Sequence, residues 1–235
     1  MCVPQCRARA ARPAGLGGTD RPYPQRPAIM HHTAMTTGVI LAGGAGSRIG
    51  GDKPSVVVAG RPLLQWVIEA LAPVVSRIVL TVAPGQALPP VETALPLVVC
   101  EDLLPARGPL TGIYTGLSCA RAPEVLVVPC DAPLIRPALL ELLLTHTGAT
   151  AVVPEAQGQL QTAFGVWSQR STSALIGALN GEHLSVRALL DKVDARIVGE
   201  DELRAVDPDL RSFCNVNTPD DVACVERFLL ESREV

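Results

Sequence analysis

From position 38 onward, short apolar β-branched runs alternate along the chain with stretches whose apolar residues recur at helical spacing. Residues 38–41 form an apolar strand that runs straight into glycines. Apolar residues at 63, 64, 67, 68 and 71 follow one face of a helix, which Pro73 ends. Residues 77–82 read as a β-branched strand closed by Pro84-Gly85, and 96–100 as another. A helix is expected over 110–120, after Gly108-Pro109, and a strand over 125–130. A helix with proline in its first turn follows over 137–146.

The second half is less regular. Residues 149–154 and 164–168 read as strands on either side of a Gln-Gly-Gln turn at 157–159. Short helical patterns cover 171–179 and 185–190. In Asn217-Thr218-Pro219-Asp220-Asp221, Thr218 can cap, Pro219 suits the first helical position, and two aspartates favour the positive end of the dipole. The last helix is expected to run to about Glu231.

Strand–helix alternation implies right-handed crossovers and a mainly parallel sheet, an α/β fold. Ligands of such sheets sit outside the carboxyl ends of the strands. Those ends fall at Leu41-Ala42-Gly43-Gly44, at Thr81–Gly85, at Cys100-Glu101-Asp102 and at Cys130-Asp131.

Composition narrows this picture. Apolar residues make up 48 % of the 235 residues and aromatics only 3 %, so the core is built from Leu, Val, Ala and Ile. No apolar run reaches the roughly 18–20 residues of a membrane span, and the chain reads as soluble and cytoplasmic. Seven cysteines, an odd count, make a poor disulfide framework, and Cys100 and Cys130 read as buried free thiols at strand ends.

Residues 1–37 hold five Arg, one Asp and five Pro, with no apolar period. They are expected to be a disordered or non-native extension: a targeting peptide, a disordered arm, or sequence upstream of a start at Met35. Residues 38–235 then form a single domain. The remaining 198 residues carry 15 basic and 22 acidic groups, a net −7. So acidic a body lacks the basic stripe of a nucleic-acid binder.

The chemistry concentrates in residues 41–53, Leu-Ala-Gly-Gly-Ala-Gly-Ser-Arg-Ile-Gly-Gly-Asp-Lys. Five glycines after a strand let backbone N–H groups approach an anion, and Arg48 and Lys53 add two cations. Together they describe a polyphosphate cradle. It is not a Walker A loop, because Lys53 is flanked by Asp52 and Pro54. Nor is it the dinucleotide fingerprint, because Ile49 stands where the third glycine belongs.

This segment resembles the opening motif of the molybdenum cofactor guanylyltransferases, MobA-type nucleotidyltransferases. Gly60-x-Pro62-Leu63, Glu101-Asp102, Gly108-Pro109-Leu110-x-Gly112, Pro129-Cys130-Asp131-x-Pro133 and Asn215-Val216-Asn217-Thr218-Pro219 continue the likeness in order. The resemblance implies a Rossmann-like three-layer sandwich of GT-A type. It also implies transfer of GMP from GTP to the terminal phosphate of a molybdopterin-type cofactor, with release of pyrophosphate and molybdoenzyme clients or delivery chaperones downstream.

On this resemblance Arg48, Lys53 and Asp131 are catalytic, and Asp131 is the ligand of Mg²⁺. Leu41, Ala42, Gly43, Gly44, Lys53, Thr81, Asp102 and Asp131 bind the nucleotide, with Asp102 reading guanine. Asn215, Asn217 and Arg187 are candidates for the acceptor side. Asn215 and Asn217 have an alternative reading as holders of the turn before the last helix, Arg187 as a solvated helix arginine, Asp131 as a helix cap, and Asp102 as an exposed turn residue. Thr81 departs from the Asn of many relatives, and Thr162 from a common Pro. A cytidylyltransferase or other NTP:phosphate transferase of the same fold, and a non-catalytic cofactor-delivery protein, remain alternatives.

Overall fold

The computed structural model describes residues 36–43, 53–104, 108–146, 148–181 and 186–231. The N-terminal extension up to residue 35, and Gly44 and Arg48 of the glycine-rich segment, lie outside them.

Ten strands and seven α-helices are defined among these residues. In chain order they are β1 (Thr37–Leu41), β2 (Val57–Val58), β3 (Arg61–Pro62), α1 (Leu63–Leu71), β4 (Arg77–Val82), β5 (Leu97–Glu101), α2 (Pro109–Ala120), β6 (Glu124–Pro129) and α3 (Pro137–Thr145). They continue as β7 (Ala151–Ala156), β8 (Gln159–Leu160), β9 (Gly165–Ser168), α4 (Thr172–Asn180), α5 (Val186–Leu190), β10 (Ala195–Val198), α6 (Glu200–Val206) and α7 (Pro219–Glu231).

The main sheet has the order β10-β7-β9-β6-β1-β4-β5, with β8 folded back on β7 as a hairpin. The pairs β1–β4, β1–β6, β4–β5 and β7–β10 are parallel. Within that order only β9 runs against its neighbours, antiparallel to both β6 and β7. The sheet is thus mainly parallel, and β1 lies inside it, flanked by β6 and β4.

Period-two alternation along β1 sends side chains to two cores. Ile40 faces one side with Leu80, Val128 and the apolar stripes of α1 and α3. Val39 faces the other with Val79, Val127 and residues of α2, α4 and α5. Helices therefore cover both faces, and the fold is a three-layer sandwich.

Helix α2 lies unusually close to the sheet. A Cβ on Gly116 would stand 2.5 Å from Val39 Cγ1, and one on Gly112 would meet Leu41 Cδ2 at 2.9 Å and Thr81 Oγ1 at 3.0 Å. Two glycines one turn apart let the helix start directly above the ends of β1 and β4.

Three expectations change. The strand ending at Cys100 is not buried: β5 is the sheet edge, with Val98 42 % and Val99 48 % exposed. The helix expected over 171–179 begins after a 3₁₀ turn, Gln169–Ser171. The short strands β2, β3 and β8, together with β10 and α6, have no counterpart in the apolar pattern. The described cysteines are free thiols, and burial, with Cys119 beside it, pushes the Cys100 thiol up to about 12. Among the described residues no helix is long and apolar enough to cross a membrane.

Candidate active site

At the carboxyl ends of the central strands lies a cavity of about 320 Å³. Strand β1 and the residues after it contribute Leu41 and Gly43, β4 contributes Thr81, and the residues after β5 and β6 contribute Asp102, Cys130 and Asp131. The start of α2 forms one wall through Gly108, Pro109 and Gly112, while Lys53, Ala163 and Asn215 add to the lining.

The floor is rigid because its backbone is committed. Ala42 and Gly43 both donate to the Thr81 carbonyl, at 2.8 and 2.9 Å. Cys130 N–H donates to the Leu41 carbonyl at 3.1 Å, and Asp102 N–H to Val82 at 2.8 Å. The sequence leads one to expect that the glycine-rich segment turns its N–H groups toward an anion. At Ala42 and Gly43 those donors are already used, so any amide given to a phosphate comes from beyond Gly43. Gly43 has another reason to be glycine: a Cβ there would stand 3.0 Å from Asp102 Oδ2 and 3.2 Å from the Ala83 nitrogen.

Lys53 is the charged centre. It opens a 3₁₀ turn, Lys53–Ser55, and its Nζ lies 2.7 Å from Asp131 Oδ2 and 2.7 Å from Asn217 Oδ1. Residues 78 and 164 positions away in the chain thus meet one ammonium group. A small separate core holds them there: Val58, Leu63, Val216 and Val225 are buried together. Val216 N–H also donates to the Asp131 carbonyl at 2.8 Å.

Asp131 is mostly buried, its side chain 12 % exposed. It does not cap α3. That helix starts after Arg136 with no side-chain cap, and the Arg136 N–H goes to Ser212 Oγ at 3.0 Å.

Asp102 is half-buried rather than an exposed turn residue. Its Oδ1 is shielded from solvent and has no hydrogen-bond partner among the described residues. Burial pushes its carboxyl above the ordinary 3.8, and a hydrogen bond with Thr115 offsets part of this. Desolvation wins because a charge costs more in a poorly solvated site than one neutral hydroxyl returns.

The structure therefore brings together Leu41, Gly43, Lys53, Thr81, Asp102, Asp131 and Asn215 around one cavity. Ala42 lies beneath them, and its carbonyl accepts from Gln86 Nε2 at 2.9 Å. Thr81 is buried, and its hydroxyl donates to the Ile40 carbonyl at 3.4 Å. Asn217 reaches Lys53 rather than the cavity. Arg187 is exposed on α5 and is not among the lining residues. Sequence reasoning did not assign Gly108, Pro109, Gly112, Pro129, Cys130 or Ala163 to the site, and all six line the cavity. The motifs Gly108-Pro109-Leu110-x-Gly112 and Pro129-Cys130-Asp131-x-Pro133 carried the signal for all but Ala163.

A mainly parallel three-layer sheet, with an ammonium, its partner carboxylate and a second, shielded carboxylate at its strand ends, defines a nucleotide-handling α/β enzyme. Residues 38–197 match the model of the MobA-like NTP transferase domain, and the chain belongs to that family of nucleotidyltransferases.

Relatives named molybdenum cofactor guanylyltransferase include one from Cereibacter sphaeroides, 36 % identical over 201 residues, covering 82 % of this chain and 96 % of the relative. Another, from Desulfosudis oleivorans, is 30 % identical and covers 84 % and 97 %. Among solved structures, molybdopterin-guanine dinucleotide biosynthesis protein A from Archaeoglobus fulgidus superposes with a TM-score of 0.69 at 23 % identity, over 83 % of this chain and 100 % of that one. The 2-C-methyl-D-erythritol 4-phosphate cytidylyltransferase from Thermus thermophilus has a TM-score of 0.61 at 20 % identity, over 83 % and 98 %. At those identities the structural likeness speaks for the fold alone.

Proposed function

We propose that this chain transfers GMP from GTP to the terminal phosphate of a molybdopterin-type molybdenum cofactor, giving the guanine dinucleotide form and pyrophosphate. The observation that carries this reading is the Lys53–Asp131 pair at the strand ends, beside the shielded carboxylate of Asp102. The names of the relatives support the choice of acceptor.

In this reaction an acceptor phosphate oxygen attacks the α-phosphorus. A new P–O bond forms as the bond to the bridging oxygen of the β-phosphate breaks, and pyrophosphate leaves with that electron pair. The nucleophile is already anionic near neutral pH, so no strong general base is needed. The obstacle is repulsion between anions, and catalysis rests on alignment and on fixed positive charge. Lys53 supplies that charge inside the cavity, and Arg48 is the second candidate cation.

The donors at this point fit a Mg²⁺ ion. The Asp131 carboxylate and the Asn215 amide are oxygen donors lining the cavity, and Lys53 shows that a cation is already accommodated against Asp131. One or two protein carboxylates, completed by phosphate oxygens and water, is the usual way this ion is held. Bound there, it would neutralise phosphate charge.

Asp102 suits guanine. An ionised carboxylate accepts two parallel N–H bonds from the guanine edge, which adenine cannot offer in that arrangement. A buried acceptor left without its partner makes rejection strong. Gly43 keeps the space open in front of it.

Product analysis tests the reading. Incubation with GTP, Mg²⁺ and molybdenum-loaded pterin is expected to give a product heavier than the acceptor by one GMP residue. A GTP-dependent phosphorylated acceptor without guanosine would overturn it.

A further inference from the structure

Asp221 carries a contact that a helix-capping role alone does not require. Its Oδ2 accepts two backbone N–H groups, from Thr218 at 2.8 Å and from Asn217 at 2.9 Å. Thr218 Oγ1 in turn accepts from Asp221 N–H at 3.3 Å. The exchange between Thr218 and Asp221 is a capping box at the start of α7. The bond to Asn217 lies one residue outside the cap. There it fixes the residue whose side-chain oxygen accepts from Lys53 Nζ at 2.7 Å.

A lysine ammonium has three donors. One goes to Asp131 and one to Asn217, and among the described residues the third has no partner. Fixing two donors fixes the direction of the third. Lys53 lines the cavity and Asn217 does not, so Asn217 holds the ammonium from outside it. A neutral amide suits that place, because it orients the ammonium without cancelling the charge that phosphates need. An asparagine on a free turn would lose much of this benefit to its own rotation, and the Asp221 carboxylate removes that freedom at the backbone.

We propose that Asp221 is a positioning residue of the active site, acting through Asn217 to aim the Lys53 ammonium into the cavity. The inference rests on reading Lys53 as the phosphate-facing cation of a nucleotidyl transfer.

The test uses the full chain and reads both turnover and the Lys53 side chain. Asp221→Ala is expected to lower kcat about tenfold or more with the KM for GTP nearly unchanged, since misaiming a preorganised group costs the transition state more than the ground state. Asp221→Asn keeps an oxygen acceptor and is expected to recover kcat to within about threefold of wild type. Thr218→Ala loses the hydroxyl of the cap, but not the acceptor of the Asn217 N–H. It is expected to lower the melting temperature as Asp221→Ala does, with kcat close to wild type.

In an Asn217→Ala background, Asp221→Ala should cost nothing further in kcat. An equal kcat loss in both backgrounds, or wild-type kcat in Asp221→Ala, overturns the proposal. NMR resonances of the Lys53 ε-methylene in the ligand-free protein give a readout independent of any reaction. Asp221→Ala is expected to shift them and Asp221→Asn to leave them in place. Unchanged Lys53 signals in Asp221→Ala overturn the proposal even if GTP proves not to be the substrate. Shifted signals in a chain that does not turn over GTP would instead count against the functional reading alone.

Discussion

Lys53 and Asp131 meet at 2.7 Å although 78 positions separate them, and the contact joins the segment after β1 to the carboxyl end of β6. The strands β1 and β6 are parallel neighbours, with Leu41 in register with Pro129, so their ends must open on the same side. The cation and the carboxylate are thus convergent consequences of one pairing.

Loss of the cation should disable chemistry more than folding. Lys53→Ala is expected to reduce turnover by at least about two orders of magnitude, as removal of preorganised charge stabilisation does. Lys53 is partly exposed but Asp131 is mostly buried, so losing the ammonium leaves a shielded carboxylate without that partner at a cost of about 1–3 kcal/mol, and the melting temperature should fall by several degrees with the fold retained. Steady-state kinetics with circular dichroism melts checks both. Near-normal turnover would remove Lys53 from the mechanism.

Asp102 should impose a pH dependence on GTP binding. Burial holds its carboxyl above the ordinary 3.8, so protonation begins at a higher pH than for an exposed aspartate. The charged form is the one that accepts the guanine N–H pair. Affinity for GTP should therefore weaken as pH falls from about 7 to about 4. The stability linkage has the opposite sense: with the folded pKa raised, a contribution present below 3.8 is lost as pH rises through the folded value. Calorimetric titration of GTP is expected to show this acid weakening in wild type and not in Asp102→Asn, which should also lose about two orders of magnitude of preference for GTP over ATP. Identical pH profiles for the two proteins would count against Asp102 as the base reader.

Removal of residues 1–34 is proposed to leave the enzyme intact. Turnover and melting temperature of the truncated chain should match the full chain, in keeping with an Arg- and Pro-rich segment that has no apolar period. A large drop in either would make the segment part of the folded enzyme.

Much of the fold was legible because its signals were local. The apolar spacing of 63–71 and the β-branched run 77–82 coincide with α1 and β4. The Thr218-Pro219-Asp220-Asp221 start coincides with the cap of α7. What escaped was either weakly patterned or set at a distance. In β10, Ala195-Arg196-Ile197-Val198, only Val198 is buried, and in α6 only Leu203 is, so neither shows a stripe. The reversal of β9 is a matter of partners, invisible in its own four residues.

The site divides the same way. Asp131 and Asp102 were readable as residues just past strands. That Asn217 would reach back across 164 positions to Lys53 was not, because the small Val58, Leu63, Val216 and Val225 core that brings them together is assembled only in the fold. Asp221 reads from the sequence as a charge favouring the helix dipole, a correct local account that misses its hold on Asn217.

The central claim is that this cavity passes a guanylyl group to a phosphate acceptor. Its most direct test is pyrophosphate release measured with GTP, CTP, ATP and UTP in turn, each with Mg²⁺ and with or without molybdenum-loaded pterin. Release with GTP only, dependent on the pterin, is the expected result. Faster turnover of CTP or ATP, or release indifferent to the pterin, would contradict it.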